Sequence, residues 1–140
     1  MKYINVVGGK SKEREIVTST VEWCLHKLMP RIRNIEIDVT IKNSDAYGYC
    51  LMGDTNREFE MEICKGMSLY ELIGTVVHEM IHVKQYARGE LKEIIGGVHR
   101  WKGTLVHEDI NYHDAPWEVE AYELEEELTL EAFKALEVTL

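Results

Sequence analysis

Hydrophobic and polar residues alternate along this chain with two different periods, which separate the candidate helices from the candidate strands. Between residues 11 and 29, apolar side chains recur at helical spacing and Pro30 follows, so this segment is predicted to be a helix. Residues 35–41 and 58–64 alternate between apolar and polar side chains, as half-buried strands do. Residues 46–52 are another strand candidate. The short connections favour a small antiparallel sheet of about three strands.

The second half of the chain predicts two further helices. Ser68 and Glu71 have the spacing of a helix-capping box, and an apolar helical pattern then continues to Gly89, which is placed to end it. Residues 90–115 have no sustained period and are interpreted as an irregular loop with a short hairpin around Trp101. Pro116 suits the first turn of a last helix. The order of elements predicts an α+β fold, with residues 1–140 as a single domain.

Composition narrows the classes of partner and the compartment. The formal net charge is −9 and the basic residues form no stripe, which argues against nucleic acid as a partner. The chain has no apolar stretch of about 18 residues, so no membrane span is expected. The three cysteines are far apart and are interpreted as reduced, half-buried thiols. We therefore expect a cytoplasmic protein, either in a cell or in an infected host. The acidic run 123–127 is interpreted as a solvated helix face.

The candidate chemistry centres on the sequence His78-Glu79-Met80-Ile81-His82. Residues four apart on a helix share one face, so the two imidazoles can bind one zinc ion. Glu79 points about 100° away from His78 around the helix, which follows from 3.6 residues per turn. It is therefore placed to act as a general base on water rather than as a ligand. These residue types at this spacing make up the HExxH pattern.

Catalytic zinc needs a third protein ligand and one open position. The extended pattern with a third histidine is absent, because Gln85 and Arg88 occupy its glycine and histidine positions. Glu118, Glu120 and His99 are the candidates. Helix geometry alone does not choose between the two glutamates, since they flank the predicted apolar stripe at comparable angles.

The HExxH segment together with Pro116-Trp117-Glu118-Val119-Glu120-Ala121 resembles the gluzincin group of metallopeptidases, above all its small phage-encoded or bacterial members. The resemblance implies a zincin-like fold and assigns Glu118 as the third zinc ligand. Relatives commonly carry Asp after that Ala as an outer partner, and Tyr122 stands there in this chain. The spacing to His99 is also similar to that of SprT-like metalloproteases, whose third ligand is a loop histidine.

These observations predict a zinc-dependent hydrolase that cleaves a peptide or protein substrate, with water activated by zinc and Glu79 as the base. Tyr112 is a candidate stabiliser of the developing oxyanion. The strand 58–64 is expected at a sheet edge, where it could bind an extended peptide. Two alternatives remain open: a zinc-stabilised binding or regulatory module without activity, and a metal-free α+β interaction protein.

Overall fold

The computed structural model describes residues 1–137, which form an α+β structure. Three helices and two separate sheets follow one another along the chain. In order, the elements are β1 (Lys2–Gly8), α1 (Ser11–Leu28), β2 (Ile35–Lys42), β3 (Gly48–Met52), β4 (Glu58–Cys64), α2 (Leu69–Ala87), β5 (Leu91–Ile95), β6 (Val98–Trp101), β7 (Thr104–Val106), a 3₁₀ turn (Tyr112–Asp114) and α3 (Pro116–Glu137).

The larger sheet has four strands in the order β1-β2-β4-β3. Strands β1, β2 and β4 run parallel, and only β3 is antiparallel to its neighbour β4. The prediction of an antiparallel sheet of about three strands was therefore wrong in two respects. β4 lies between β2 and β3 in the sheet. The chain runs back along β3, so β4 starts from the same end of the sheet as β2 and runs parallel to it. β1 was missed because it is an edge strand with mostly exposed side chains, which weakens the alternating pattern.

The position of β4 also corrects the expectation that it lies at a sheet edge. β4 is hydrogen-bonded on both sides, by β2 and by β3. β3 is the edge strand on that side of the sheet. The backbone edge open to an added strand is thus that of Gly48–Met52.

The main core lies between this sheet and the helices. The parallel register sets Ile37 beside Phe59 and Val39 beside Met61, so one face of the sheet is continuously apolar. These side chains are buried together with apolar residues of all three helices, which makes the burial of this face the main stabilising contribution.

Helix α2 is central and packs against α1, α3 and the sheet. The Ser68 side chain accepts a hydrogen bond from the backbone N–H of Glu71 at 3.3 Å, which confirms the predicted cap. Beyond its other end, Gly89 has a φ of 72°, a left-handed conformation that suits a helix stop. Because neighbours cover α2 on several sides, even its polar motif residues are buried.

Residues 90–115 are more regular than predicted. β5, β6 and β7 form a three-stranded antiparallel sheet, so the short hairpin expected around Trp101 is confirmed and extended. The turn between β5 and β6 consists of Gly96 and Gly97, which both have positive φ. Weak periodicity hid these strands, because nearly all their side chains are at least partly exposed.

Two further properties concern the chain as a whole. Within residues 1–137, no helix combines the length and the apolar character that crossing a membrane requires. The cysteines are free thiols, of which Cys24 is buried and Cys50 and Cys64 are half-buried.

Candidate metal centre

Helix α2 brings the two imidazoles of the HExxH segment together on one face. The rings of His78 and His82 meet edge to face, with centroids 5.0 Å apart. Both residues are buried, at 7% and 8% exposure. A buried imidazole needs a polar partner, so the question is what lies opposite them.

The partner of both rings is Glu118, in the first turn of α3. Its Oε1 atom lies 3.2 Å from His78 Nε2 and 3.2 Å from His82 Nε2. Ligand atoms of the three residues lie within 4.8 Å of one another, and all three residues are buried. Glu118 follows His78 by 40 positions in the sequence, and the packing of α3 on α2 brings its carboxylate to the HExxH face.

The two alternative third ligands lie elsewhere. Glu120 Oε1 accepts hydrogen bonds from Lys84 Nζ at 2.9 Å and from Gln85 Nε2 at 3.1 Å. His99 Nδ1 is 2.9 Å from the carbonyl oxygen of Gly97, and its ring packs against Trp117. Neither side chain therefore belongs to the cluster that Glu118 forms with the two histidines.

A second glutamate of α3 orients His78 from the outside. Glu125 Oε1 lies 2.7 Å from His78 Nδ1. A carboxylate accepts here, so the imidazole Nδ1 carries the hydrogen and Nε2 faces Glu118. The interpretation of run 123–127 as only a solvated face was wrong at this residue.

Gln85 performs the same role for His82. Its Oε1 lies 2.8 Å from His82 Nδ1. Its amide nitrogen donates to the carbonyl of Trp117 and to Glu120, which leaves the oxygen as the atom that faces the imidazole. His82 Nδ1 must therefore donate, and its Nε2 also points at Glu118.

The donor set fits a divalent cation. Two imidazole nitrogens and a carboxylate oxygen are the ligands of many catalytic zinc sites. Two ligands about 2.0–2.1 Å from zinc at the tetrahedral angle are about 3.3–3.4 Å apart. The Nε2–Oε1 distances of 3.2 Å are close to that separation. His78, His82 and Glu118 could therefore hold the ion.

Without a metal, the hydrogen bonds of the cluster favour protons on the imidazoles and an ionised Glu118. Burial opposes the charge on His78, but hydrogen bonds to Glu118 and Glu125 outweigh it and raise the pKa of His78 to about 10. Burial would raise the pKa of Glu118, but its hydrogen bonds to the two histidines lower it to about 2. Burial also lowers the pKa of His82, but the hydrogen bond and charge of Glu118, together with the contributions of Gln85 and Glu79, outweigh burial and raise this pKa. The metal-free cluster is thus a buried carboxylate paired with imidazolium.

Glu79 has a different environment. It is 7% exposed and, with His78, lines a cleft of about 720 Å³. Burial raises the pKa of Glu79, against the lowering influence of His82 and His78. A carboxylate with a raised pKa at the wall of a cleft can accept a proton from bound water near neutral pH.

Tyr112 lies in the 3₁₀ turn before α3 and lines the same cleft. Its hydroxyl is 3.5 Å from that of Tyr122. Partial burial, then this hydroxyl and Glu118, raise the pKa of Tyr112, so the phenol stays protonated and can donate a hydrogen bond.

The outer partners Glu125 and Gln85 were not predicted from the sequence. Helical spacing carried a signal for each of them. Glu125 follows Glu118 by seven positions, two turns along the same face, and Gln85 follows His82 by three. A polar residue at such a spacing from a candidate ligand is the pattern by which they could have been found.

No protein family, no curated protein and no solved structure matches the chain.

Proposed function

We propose that this protein is a zinc-dependent metallohydrolase, a peptidase of minimal gluzincin type with a zincin-like fold. One observation carries the proposal: Glu118 Oε1 lies 3.2 Å from the Nε2 atoms of both HExxH histidines. Glu125 and Gln85 support it, because they accept hydrogen bonds from the Nδ1 atoms of His78 and His82 and so turn both Nε2 atoms toward that oxygen. The open cleft beside His78 supports access for a substrate.

His78, His82 and Glu118 would hold the zinc ion, which when bound acts as a Lewis acid toward water and a substrate carbonyl. Glu79 would take a proton from the attacking water and later deliver it to the leaving amine. Its raised pKa supports this role, since a base works best when its pKa approaches the working pH. The presence of a glutamate at position 79 also favours a hydrolase over a structural zinc site, because a structural site needs no general base.

Tyr112 would donate a hydrogen bond to the developing oxyanion. Its exposed fraction of 54% and its place at the cleft would let the hydroxyl exchange its long contact with Tyr122 for one with a substrate. The free edge of β3 would pair with an extended peptide, because Gly48 both begins this strand and lines the cleft. An edge strand offers backbone hydrogen bonds without demanding a particular side chain.

Metal analysis combined with a hydrolysis assay tests the proposal. Purified protein offered an equimolar mixture of divalent zinc, iron, manganese and nickel should retain about one zinc per chain. His78→Ala and His82→Ala should lose it, and Glu79→Gln should keep it. On a fluorogenic peptide library, Glu79→Gln should hydrolyse about 10²–10⁴-fold more slowly than the zinc-loaded wild type.

Three results would count against the proposal in different ways. A protein that retains no metal would exclude the whole assignment. Zinc retained by His78 and His82 without hydrolysis of any library peptide would leave a zinc-stabilised binding module. Preferential retention of iron would indicate an Fe(II) site and not a zinc hydrolase, since two histidines and a carboxylate also bind Fe(II).

A further inference from the structure

The cleft beside the candidate metal centre has the size and the position of a substrate site. Its volume of about 720 Å³ lies within the range of about 300–1,000 Å³ that is common for ligand sites. Helix α2 contributes Thr75, His78 and Glu79 to its wall, and the segment before β3 contributes Tyr47. Any side chain held here lies next to the group proposed as general base.

Tyrosines form much of this cleft. All four are partly exposed, between 43% and 65%, so ring surface is open to a ligand. The ring of Tyr122 also packs against His78, with centroids 4.8 Å apart, which ties the aromatic wall to the candidate metal centre. Tyrosine faces attract cations through their quadrupole. The tyrosines are Tyr47, Tyr70, Tyr112 and Tyr122.

The remaining charged groups of the cleft are almost all carboxylates. Four glutamates line it, and among the described residues neither lysine nor arginine does. Glu125 is bonded to His78, whereas Glu126 forms no ion pair anywhere in residues 1–137. The lining glutamates are Glu71, Glu79, Glu125 and Glu126.

Lys84, two positions after His82, and Lys102 are both paired with glutamates that do not line the cleft. Lys84 is bonded to Glu90 and Glu120, each at 2.9 Å. Lys102 pairs with the other oxygen of Glu120 at 3.4 Å. Glu71 and Glu126 therefore have no lysine or arginine partner within residues 1–137, and the concave shape of the cleft concentrates their negative potential.

We propose that this cleft selects substrates with a lysine or arginine side chain close to the cleaved bond. The cation would lie among the tyrosine faces and near Glu126 and Glu71, while an acidic side chain would be repelled. This inference rests on the proposed function only in taking the cleft as the place where a peptide bond is cleaved. The charge preference itself is a property of binding, so it can be measured without turnover.

Binding of matched peptides to the zinc-loaded Glu79→Gln variant tests this directly. Four fluorescein-labelled peptides would differ at one central position, which carries Lys, Arg, norleucine or Glu. By fluorescence anisotropy at low salt, the Lys and Arg peptides should bind about five- to tenfold more tightly than norleucine, and Glu more weakly. Added salt should reduce the preference, because it screens partly exposed charges.

A matched pair of second substitutions locates the effect. Adding Glu126→Gln should remove at least about half of the Lys-over-norleucine preference. Adding Glu123→Gln, which changes the same net charge on the same helix outside the cleft, should leave it unchanged. Equal binding of the Lys and norleucine peptides, an equal effect of the two substitutions, or no binding of any peptide up to about 1 mM would overturn the inference.

The outcomes also separate this inference from the proposed function. If the Lys preference is found but the zinc-loaded wild type hydrolyses neither these four peptides nor any library peptide, the proposed function fails and the charge selection stands. If the wild type hydrolyses the norleucine peptide as fast as the Lys peptide and binds both equally, the charge selection fails and the hydrolase stands.

Discussion

Two oxygen atoms outside the candidate ligand set decide which ring nitrogens face inward. Glu125 accepts from Nδ1 of His78, and Gln85 accepts from Nδ1 of His82. Each imidazole is thereby fixed in orientation and, when neutral, in the tautomer that leaves Nε2 free for a metal. The affinity for zinc should depend on these two residues although neither is a ligand.

Removing either outer acceptor should weaken zinc binding. Glu125→Leu or Gln85→Leu should lower the affinity for zinc about 10–100-fold, because the imidazole loses the partner that orients it. Competition with a chromophoric chelator measures the change. Glu123→Leu, an exposed residue of the same helix, is the control and should bind zinc as the wild type does. Unaltered affinity in both test variants would show that the outer bonds are incidental.

Among the elements, the end of β1 lies close to β2 at Gly8. Gly8 has a φ of 83°, and a Cβ atom built there would lie 2.2 Å from the carbonyl oxygen of Ile41 on β2. Gly66 also has a φ of 83°, but a Cβ there would meet nothing within 4 Å. The two positions therefore separate the backbone conformation from the steric contact.

Gly8→Ala should be much more destabilising than Gly66→Ala. Both substitutions incur the left-handed penalty of about 1–2 kcal/mol, and Gly8→Ala must also push β1 away from β2. The free energy of unfolding, from urea titrations, should fall by at least about 1 kcal/mol more for Gly8→Ala than for Gly66→Ala. Equal losses would mean that β1 does not approach β2 as closely as described.

The elements that the sequence predicted well are those whose burial is one-sided or whose caps are explicit. β2 alternates buried and exposed side chains along its whole length, and α2 begins at a Ser68 cap that its own sequence marks. β1 and β5 were not predicted as strands, and β6 and β7 only as a short hairpin around Trp101, because exposed side chains give no clear period. The parallel pairing of β2 and β4 depends on long-range packing, which short connections do not reveal.

The candidate site divides in the same way. His78, Glu79 and His82 lie within one helix turn or so, and therefore local spacing was enough to single them out. Choosing Glu118 over Glu120 required knowing which face of α3 packs against α2, and residue spacing alone does not give that orientation. The structure turns Glu118 toward the histidines and Glu120 toward Lys84. That Glu118 binds a metal stays a prediction.

For the whole molecule, the metal-free cluster makes stability depend on pH. His78 has a pKa of about 10 in the fold against an ordinary 6.5, so its contribution is full below pH 6.5 and is lost as the pH rises toward 10. Glu118 has a pKa of about 2 against 4.5, so its contribution is present above pH 4.5 and is lost as the pH falls toward 2. The cluster is therefore most stabilising between these two ordinary values.

Zinc should reverse the alkaline part of this dependence. With a chelator present, the urea midpoint should fall between about pH 6.5 and about pH 9, because the unfolded chain releases the His78 proton over this interval while the folded cluster still holds it. With excess zinc the midpoint should hold or rise over the same interval, since the metal binds neutral imidazoles. A chelated His78→Asn variant should show less of the alkaline fall. If the urea midpoint changed with pH in the same way with and without zinc, then zinc and protons would not compete for the same imidazoles, which would contradict the account.

Anomalous diffraction from crystals of the zinc-loaded protein, recorded on both sides of the zinc absorption edge, tests the central claim most directly. One zinc peak is expected about 2.0–2.2 Å from Nε2 of His78, from Nε2 of His82 and from a carboxylate oxygen of Glu118, with a side open to the cleft. A peak bound by other residues, or Glu118 still bonded to both imidazoles with no zinc between them, would contradict the account.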